Sequence, residues 1–176
     1  FCLSRGLGDV YKRQKHLSKE YTMKAIYLKS RDNARTPMQW TSKHNAGFTT
    51  GTPWLSVNPN YTRINVEQAL KDKDSIFYYY QQLIKLRHSL SIVTMGDFEL
   101  LDPDNEQVFS YLRRDQKQIL LVAGNFTEKP KKIVLPTELQ NRPCEKIISN
   151  DQNIAEETNS VVLPAYGAVA YLFSID

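Results

Sequence analysis

Two rhythms of apolar and polar positions divide this chain. From Lys15 to about Ser30, Leu17, Met23, Ile26 and Tyr27 recur among charged residues at a spacing that predicts a helix. Asn33 to Asn65 is rich in Asn, Thr, Gly and Pro and carries no such period, so it reads as a loop; a loop of that length has a function or belongs to something larger. Asn65 with Gln68 three residues on matches a helix cap and predicts a short helix over Val66 to about Lys71. The next helix runs from Asp74, its expected cap, to about Ser89 and sets Ile76, Tyr80, Leu83, Ile84 and Arg87 along one face.

After Gly96 the pattern shortens to alternating or apolar runs between turn residues. Strands are predicted over Asp97 to Leu101, Val108 to Arg113, Gln118 to Asn125, Lys131 to Leu135, Lys146 to Ser149, Val161 to Leu163 and Ala168 to Phe173. Arg114 to Gln116 should turn one hairpin and Pro164 to Gly167 should lead into the last strand. Seven strands at this spacing predict an antiparallel β-sandwich. Phe98, Phe109, Tyr111, Phe126, Tyr166, Tyr171 and Phe173 show no outward alternation and suit its core equally, which favours structural support over ligand binding.

The densest chemistry lies in Ser30 to Trp40, S-R-D-N-A-R-T-P-M-Q-W. A planar Arg fork holds a carboxylate or neighbouring hydroxyls in fixed geometry. Pro37 fixes its own φ and pushes Thr36 toward extended backbone, giving a stiff loop that presents arginine. Two readings stand on local chemistry: a sugar site, or a structural clamp of Arg31 and Asp32 beside a buried Trp. Trp40 and Trp54 have surface for stacking, yet tryptophans beside Pro and Gly are commonly loop anchors. Tyr78, Tyr79 and Tyr80 point in different directions on a helix, so they are expected to pack rather than form a platform.

His16 and His44 are isolated, and His88 near a helix C-terminus complements the dipole there. Metal-ligand spacings are missing, and Gly47 and Gly51 lack the strand and helix context of a phosphate loop, so neither a metal nor a cofactor is expected. The net charge is +4, but Arg5, Lys12 and Arg13 against Asp9 contribute half of it. Elsewhere the signs are interspersed except at Lys129, Lys131 and Lys132, which argues against a nucleic-acid partner. No run approaches the ~20 apolar residues of a membrane span. Cys144 is the sole cysteine beyond Cys2, so a disulfide framework is not expected and a reducing, cytoplasmic setting is. Hydrophobic content of 41% is enough for a core. Phe1 to Gln14 lacks a starting Met and sustained periodicity and reads as a non-native leader.

Three segments together carry a family resemblance: S-R-D-N-A-R-T-P-M-Q-W, then N-A-G-F-T-T-G-T-P-W at Asn45 to Trp54, then N-P-N-Y-x-x-I-N-V-E-Q-A-L at Asn58 to Leu70. In order and spacing they resemble the α-glucosidase branch of glycoside hydrolase family 13, which includes oligo-1,6-glucosidases and trehalose-6-phosphate hydrolases. The similarity runs from about Tyr21 to Phe173. It implies an α+β fragment: residues 15–95 as the end of a catalytic (β/α)8 barrel and 96–176 as the β-sandwich domain that follows it. The catalytic carboxylates of the family lie upstream of R-T-P-M-Q-W, so the missing N-terminal barrel is the expected partner and the piece alone should be inactive. Arg35 matches the family position that pairs with an upstream aspartate to close the pocket around the terminal glucose of a short oligosaccharide. Thr41 departs from the family's usual acidic residue at that place.

Overall fold

The computed structural model describes residues 18–29 and 34–175, apart from the side chains of Ile26 and Lys29. The leader, His16, and the Arg31 and Asp32 pair lie outside the described residues. Two compact units divide the chain, Phe1–Tyr78 and Tyr79–Asp176, and the division falls inside a helix.

In the first unit, α1 spans Lys19–Lys29. Ser18 caps it, since its hydroxyl accepts the Tyr21 N–H at 3.2 Å, satisfying one of the donors a helix start leaves over. The Asn-rich stretch that follows forms two 3₁₀ turns, His44–Gly47 and Pro59–Thr62. Helix α2 covers Val66–Lys71 and begins where the Asn65 cap predicts: the Asn65 side chain accepts the Gln68 N–H at 3.0 Å.

Helix α3, Ile76–Ser89, starts two residues later than the pattern predicts. Asp74 donates its N–H to the Asp72 carboxylate, and the Ser75 hydroxyl donates to the Ala69 carbonyl at 2.7 Å, so this stretch turns before the helix starts. Tyr78 donates its hydroxyl to the Leu70 carbonyl at 3.1 Å and accepts from Lys73 at 2.8 Å, an anchoring role. The face marked by Ile76, Tyr80, Leu83 and Ile84 is exposed, at 81%, 62%, 37% and 52%. A second stripe, Tyr79, Leu86 and the following Leu90, packs in its place. Both stripes are apolar, which is why one period did not single out the covered one.

The second unit adds α4, Ser91–Met95, and eight strands. These are β1 Asp97–Leu101, β2 Val108–Arg114, β3 Gln118–Asn125, β4 Lys131–Val134, β5 Cys144–Ser149, β6 Ala155–Glu157, β7 Ser160–Leu163 and β8 Ala168–Ser174. Every pairing is antiparallel, in a five-stranded sheet ordered β1-β2-β3-β8-β5 and a three-stranded sheet ordered β4-β7-β6. Seven strands were expected; β6 is the eighth, and its Ala-Glu-Glu sequence is wholly exposed and has no alternation to reveal it. The hairpin between β2 and β3 turns one residue later than expected, because Asp115 accepts the N–H groups of Lys117 and Gln118, both at 2.8 Å. Strand β5 also starts earlier, at Cys144, and bulges between Lys146 and Ile148.

Period two sorts the five-stranded sheet into an inner and an outer face. Leu112, Leu121, Val169, Tyr171 and Phe173 point inward to meet Val161 and Leu163 of the smaller sheet, with Leu139 and Ile154 closing the core. On the outer face, Leu120 and Ala170 pack under Ile92, with Leu86, Leu90 and Val93 around them. Strand β3 is thus covered on both sides, which explains its nearly continuous apolar run. The aromatics divide instead of sharing one core. Tyr171 and Phe173 are buried, whereas Phe98, Phe109, Phe126 and Tyr166 are exposed. Phe98 and Phe109 each contact Tyr111 on the outer face, with ring centroids 5.2 and 5.6 Å apart. An outward aromatic row, not expected from the sequence, therefore exists on β1 and β2.

Candidate functional site

The Arg-bearing loop is built as a clamp around Gln39, Trp40 and Thr41. On one side, the N–H groups of Trp40 and Thr41 both donate to the Ala46 carbonyl, at 2.9 and 3.0 Å. On the other, the carbonyls of Gln39 and Trp40 accept the Val66 and Glu67 N–H groups, at 2.9 and 3.0 Å. With Gln68 bound to Asn65, the first three N–H donors of α2 are all satisfied, two of them by the Arg35 loop. The Gln39 side chain donates to Asn60 Oδ1 at 2.9 Å and to the Ile64 carbonyl. Asn60 is itself placed by the Asn58 cap, whose side chain accepts the Asn60 N–H at 3.1 Å.

These contacts give the three signature segments a physical reason to occur together. R-T-P-M-Q-W supplies the strand-like centre, N-A-G supplies a carbonyl on one side, and N-P-N-Y with N-V-E-Q supplies caps and helix donors on the other. Pro37 is buried within this frame and Arg35 is exposed beside it. Among the described residues the Arg35 guanidinium has no hydrogen-bond or ion-pair partner. A rigid backbone carrying an open bidentate donor suits capture of a carboxylate or paired hydroxyls.

The turn at His44–Gly47 is the feature that sequence reading missed. Asn45, Ala46 and Gly47 lie consecutively in left-handed space, at φ 53°, 57° and 68°. Asn and Gly tolerate that region, so Asn-x-Gly was an available signal; the Ala between them hid it. Asn45 holds the turn by donating to the carbonyls of Thr49 at 3.2 Å and Gly51 at 2.7 Å. A side chain at Gly47 would be strained, because its φ is 68° and a Cβ there would stand 2.8 Å from the Thr41 hydroxyl oxygen, which would have to shift.

Of the remaining candidates, His44 lies in the turn that supplies the Ala46 carbonyl and Trp40 at the centre of the clamp. His44 is exposed in the turn and His88 sits in the last turn of α3. Trp40 is half-exposed and Trp54 is 88% exposed, so Trp54 is not a buried loop anchor among the described residues. Among the described residues no cluster of three His, Cys, Asp or Glu side chains is placed to hold a metal. Among the described residues no helix is long and apolar enough to cross a membrane. In the second unit a half-open hollow of about 120 Å³ lies beside Leu139, Cys144, Glu156 and Tyr171. Two of its polar groups engage each other, Glu156 accepting from Tyr171 at 2.8 Å as well as from Lys146 at 2.9 Å. Burial and then Glu156 raise the Cys144 thiol pKa, which lowers the share of thiolate.

Residues 6–96 match the family described as alpha amylase, catalytic domain, and residues 98–169 match maltogenic amylase, C-terminal domain. An oligo-1,6-glucosidase of Bacillus cereus is 44% identical over 152 residues, covering 86% of this chain and 27% of the relative. An oligo-1,6-glucosidase of Heyndrickxia coagulans is 56% identical over 112 residues, covering 64% of this chain and 20% of the relative. The crystal structure of a Bacillus licheniformis trehalose-6-phosphate hydrolase mutant superposes with a TM-score of 0.87 at 36% identity, covering 97% of this chain and 31% of that one. The chain spans less than a third of the length of these relatives. It belongs to the α-amylase family of glycoside hydrolases, carrying the end of the catalytic domain and the β-sandwich domain that follows.

Proposed function

We propose that the chain is the C-terminal part of a retaining, exo-acting α-glucosidase of the oligo-1,6-glucosidase kind, and that alone it does not hydrolyse glycosides. Arg35 carries this reading: an exposed guanidinium on a loop clamped from both sides, within a segment 44% identical to an oligo-1,6-glucosidase. In the complete enzyme Arg35 pairs with an aspartate from the preceding part of the barrel and closes the pocket behind the terminal glucose. A closed pocket limits the enzyme to releasing single sugars from chain ends. The resemblance assigns the chemistry to upstream carboxylates. An aspartate attacks the anomeric carbon while a glutamic acid protonates the departing oxygen. The same glutamate then takes a proton from the water that displaces the enzyme.

Inactivity of the isolated chain draws support from the exposed apolar stripe of α3, Ile76, Tyr80, Leu83 and Ile84, a face suited to the rest of a catalytic barrel. We place the barrel boundary at Gly96, where helix gives way to strand. The sandwich acts as support, its outer face packing under α4 and the end of α3. A cytoplasmic setting is consistent with an exposed free thiol at Cys144.

Trehalose-6-phosphate hydrolysis is the second reading, favoured by the close superposition on such an enzyme. Assay of the complete enzyme on isomaltose and on trehalose 6-phosphate separates the two. Preference for isomaltose supports the first reading, preference for the phosphorylated disaccharide supports the second, and turnover of neither overturns both.

A further inference from the structure

Ala46 is fully buried and non-glycine, yet it sits at φ 57° and ψ 20°. L-residues avoid this region because Cβ crowds the carbonyl oxygen, and a conformation of this sort persists only where the surroundings enforce it. Here they do. Asn45 is tied to Thr49 and Gly51, Gly47 follows in left-handed space at φ 68°, and the Ala46 carbonyl receives two N–H groups. A right-handed Ala46 would turn that carbonyl away from Trp40 and Thr41, leaving one side of the Arg35 loop unheld.

We infer that Ala46 is a positioning residue for substrate binding: its left-handed backbone aims the carbonyl that clamps Trp40 and Thr41 and thereby fixes the loop that carries Arg35. The inference rests on the reading of Arg35 as a sugar-binding group. Ala46 touches no substrate itself. Its methyl group fills a closed space, so both the strain and the packing at this position serve the shape of the loop. Thr41 fits the same logic, because its N–H joins the clamp and its hydroxyl accepts the Lys43 N–H at 3.2 Å while occupying the space a Cβ on residue 47 would need.

The test uses the complete enzyme and two readouts, backbone amide exchange at Trp40 and Thr41 and the separate kcat and KM for isomaltose. Ala46→Val places a β-branched residue in left-handed space. It should raise exchange at both amides about tenfold or more and raise KM by about tenfold. Asn45→Ala removes two tethers while keeping the buried methyl, and should shift both readouts in the same direction by a smaller factor. The decisive comparison is Ala46→Val combined with Arg35→Ala. If Ala46 acts through Arg35, its effect on KM disappears in that background while the exchange effect remains. Fully additive KM effects, or unchanged Trp40 and Thr41 exchange in both turn variants, overturn the inference. If Arg35→Ala alone leaves KM unchanged, the reading of Arg35 fails first. Should Ala46→Val not fold, Asn45→Ala combined with Arg35→Ala makes the same comparison.

Discussion

Arg113 on β2 donates to the Gly96 carbonyl at 2.7 Å, just past the end of α4, while its Nε donates to the Ile92 carbonyl at 3.0 Å. The Ile92 carbonyl already accepts the Gly96 N–H at 3.1 Å, so the guanidinium adds a second donor there, binds the Gly96 carbonyl, and fastens α4 to the sheet it covers. Arg113→Ala should destabilise the second unit by about 1–2 kcal/mol, the worth of charge-assisted bonds discounted for partial exposure. Urea unfolding of the chain measures this. An unchanged midpoint would remove Arg113 from the structural role.

Gly96 is bound to the same junction by space. A Cβ there would meet the Ile92 carbonyl oxygen at 2.7 Å and the Arg114 carbonyl oxygen at 3.0 Å, both backbone atoms that cannot swing aside. Gly96→Ala should therefore destabilise by about 1–3 kcal/mol and weaken the packing of Ile92 against Leu120. A lowered Tm with an unchanged fold by circular dichroism is the expected result.

Core and surface aromatics should respond very differently. Phe173 is 1% exposed within the sandwich, and Phe173→Ala should cost about 3–5 kcal/mol. Phe98 is 55% exposed, and Phe98→Ala should change the isolated chain's stability by less than about 1 kcal/mol. Equal losses at the two positions would contradict the assignment of inner and outer faces.

Burial, and then the bond to Glu156, raise the Tyr171 phenol pKa above its ordinary value of 10.0. The folded state therefore binds this proton more tightly than the unfolded chain. Its stabilising effect is complete below pH 10 and is lost as pH climbs toward the folded value. The loss has a limiting slope of about 1.4 kcal/mol per pH unit for one phenol. Burial also raises Tyr79 and Tyr111, so Tyr171→Phe should reduce this alkaline slope without abolishing it. Urea midpoints collected on both sides of pH 10 give the comparison. An identical slope in the variant would rule out Tyr171 as a contributor.

The sandwich was legible because its strands alternate strongly and end at turn residues; Gln118–Asn125 and Ala168–Ser174 lie where their apolar runs indicate. Strand Ala155–Glu157 escaped because hydrogen bonding to β7, not a buried face, defines it. Helix Ser91–Met95 escaped because five residues with Ile-Val at their centre are too short for helical periodicity to emerge. At the site, the Asn65 cap could be read from residue type, whereas Arg35 was singled out only by the family resemblance. The clamp between them could not, since it consists of backbone groups brought together across the loop, and its left-handed Ala46 is the residue least expected there.

The most direct measurement is kcat/KM for isomaltose in the complete enzyme with and without Arg35→Ala. The expected result is a loss of about a hundredfold or more, with exchange at Trp40 and Thr41 unchanged, because a bidentate charged contact is removed while its frame stays intact. Wild-type kcat/KM in the variant would show that Arg35 does not hold the substrate and would contradict the assignment of this loop as a sugar site.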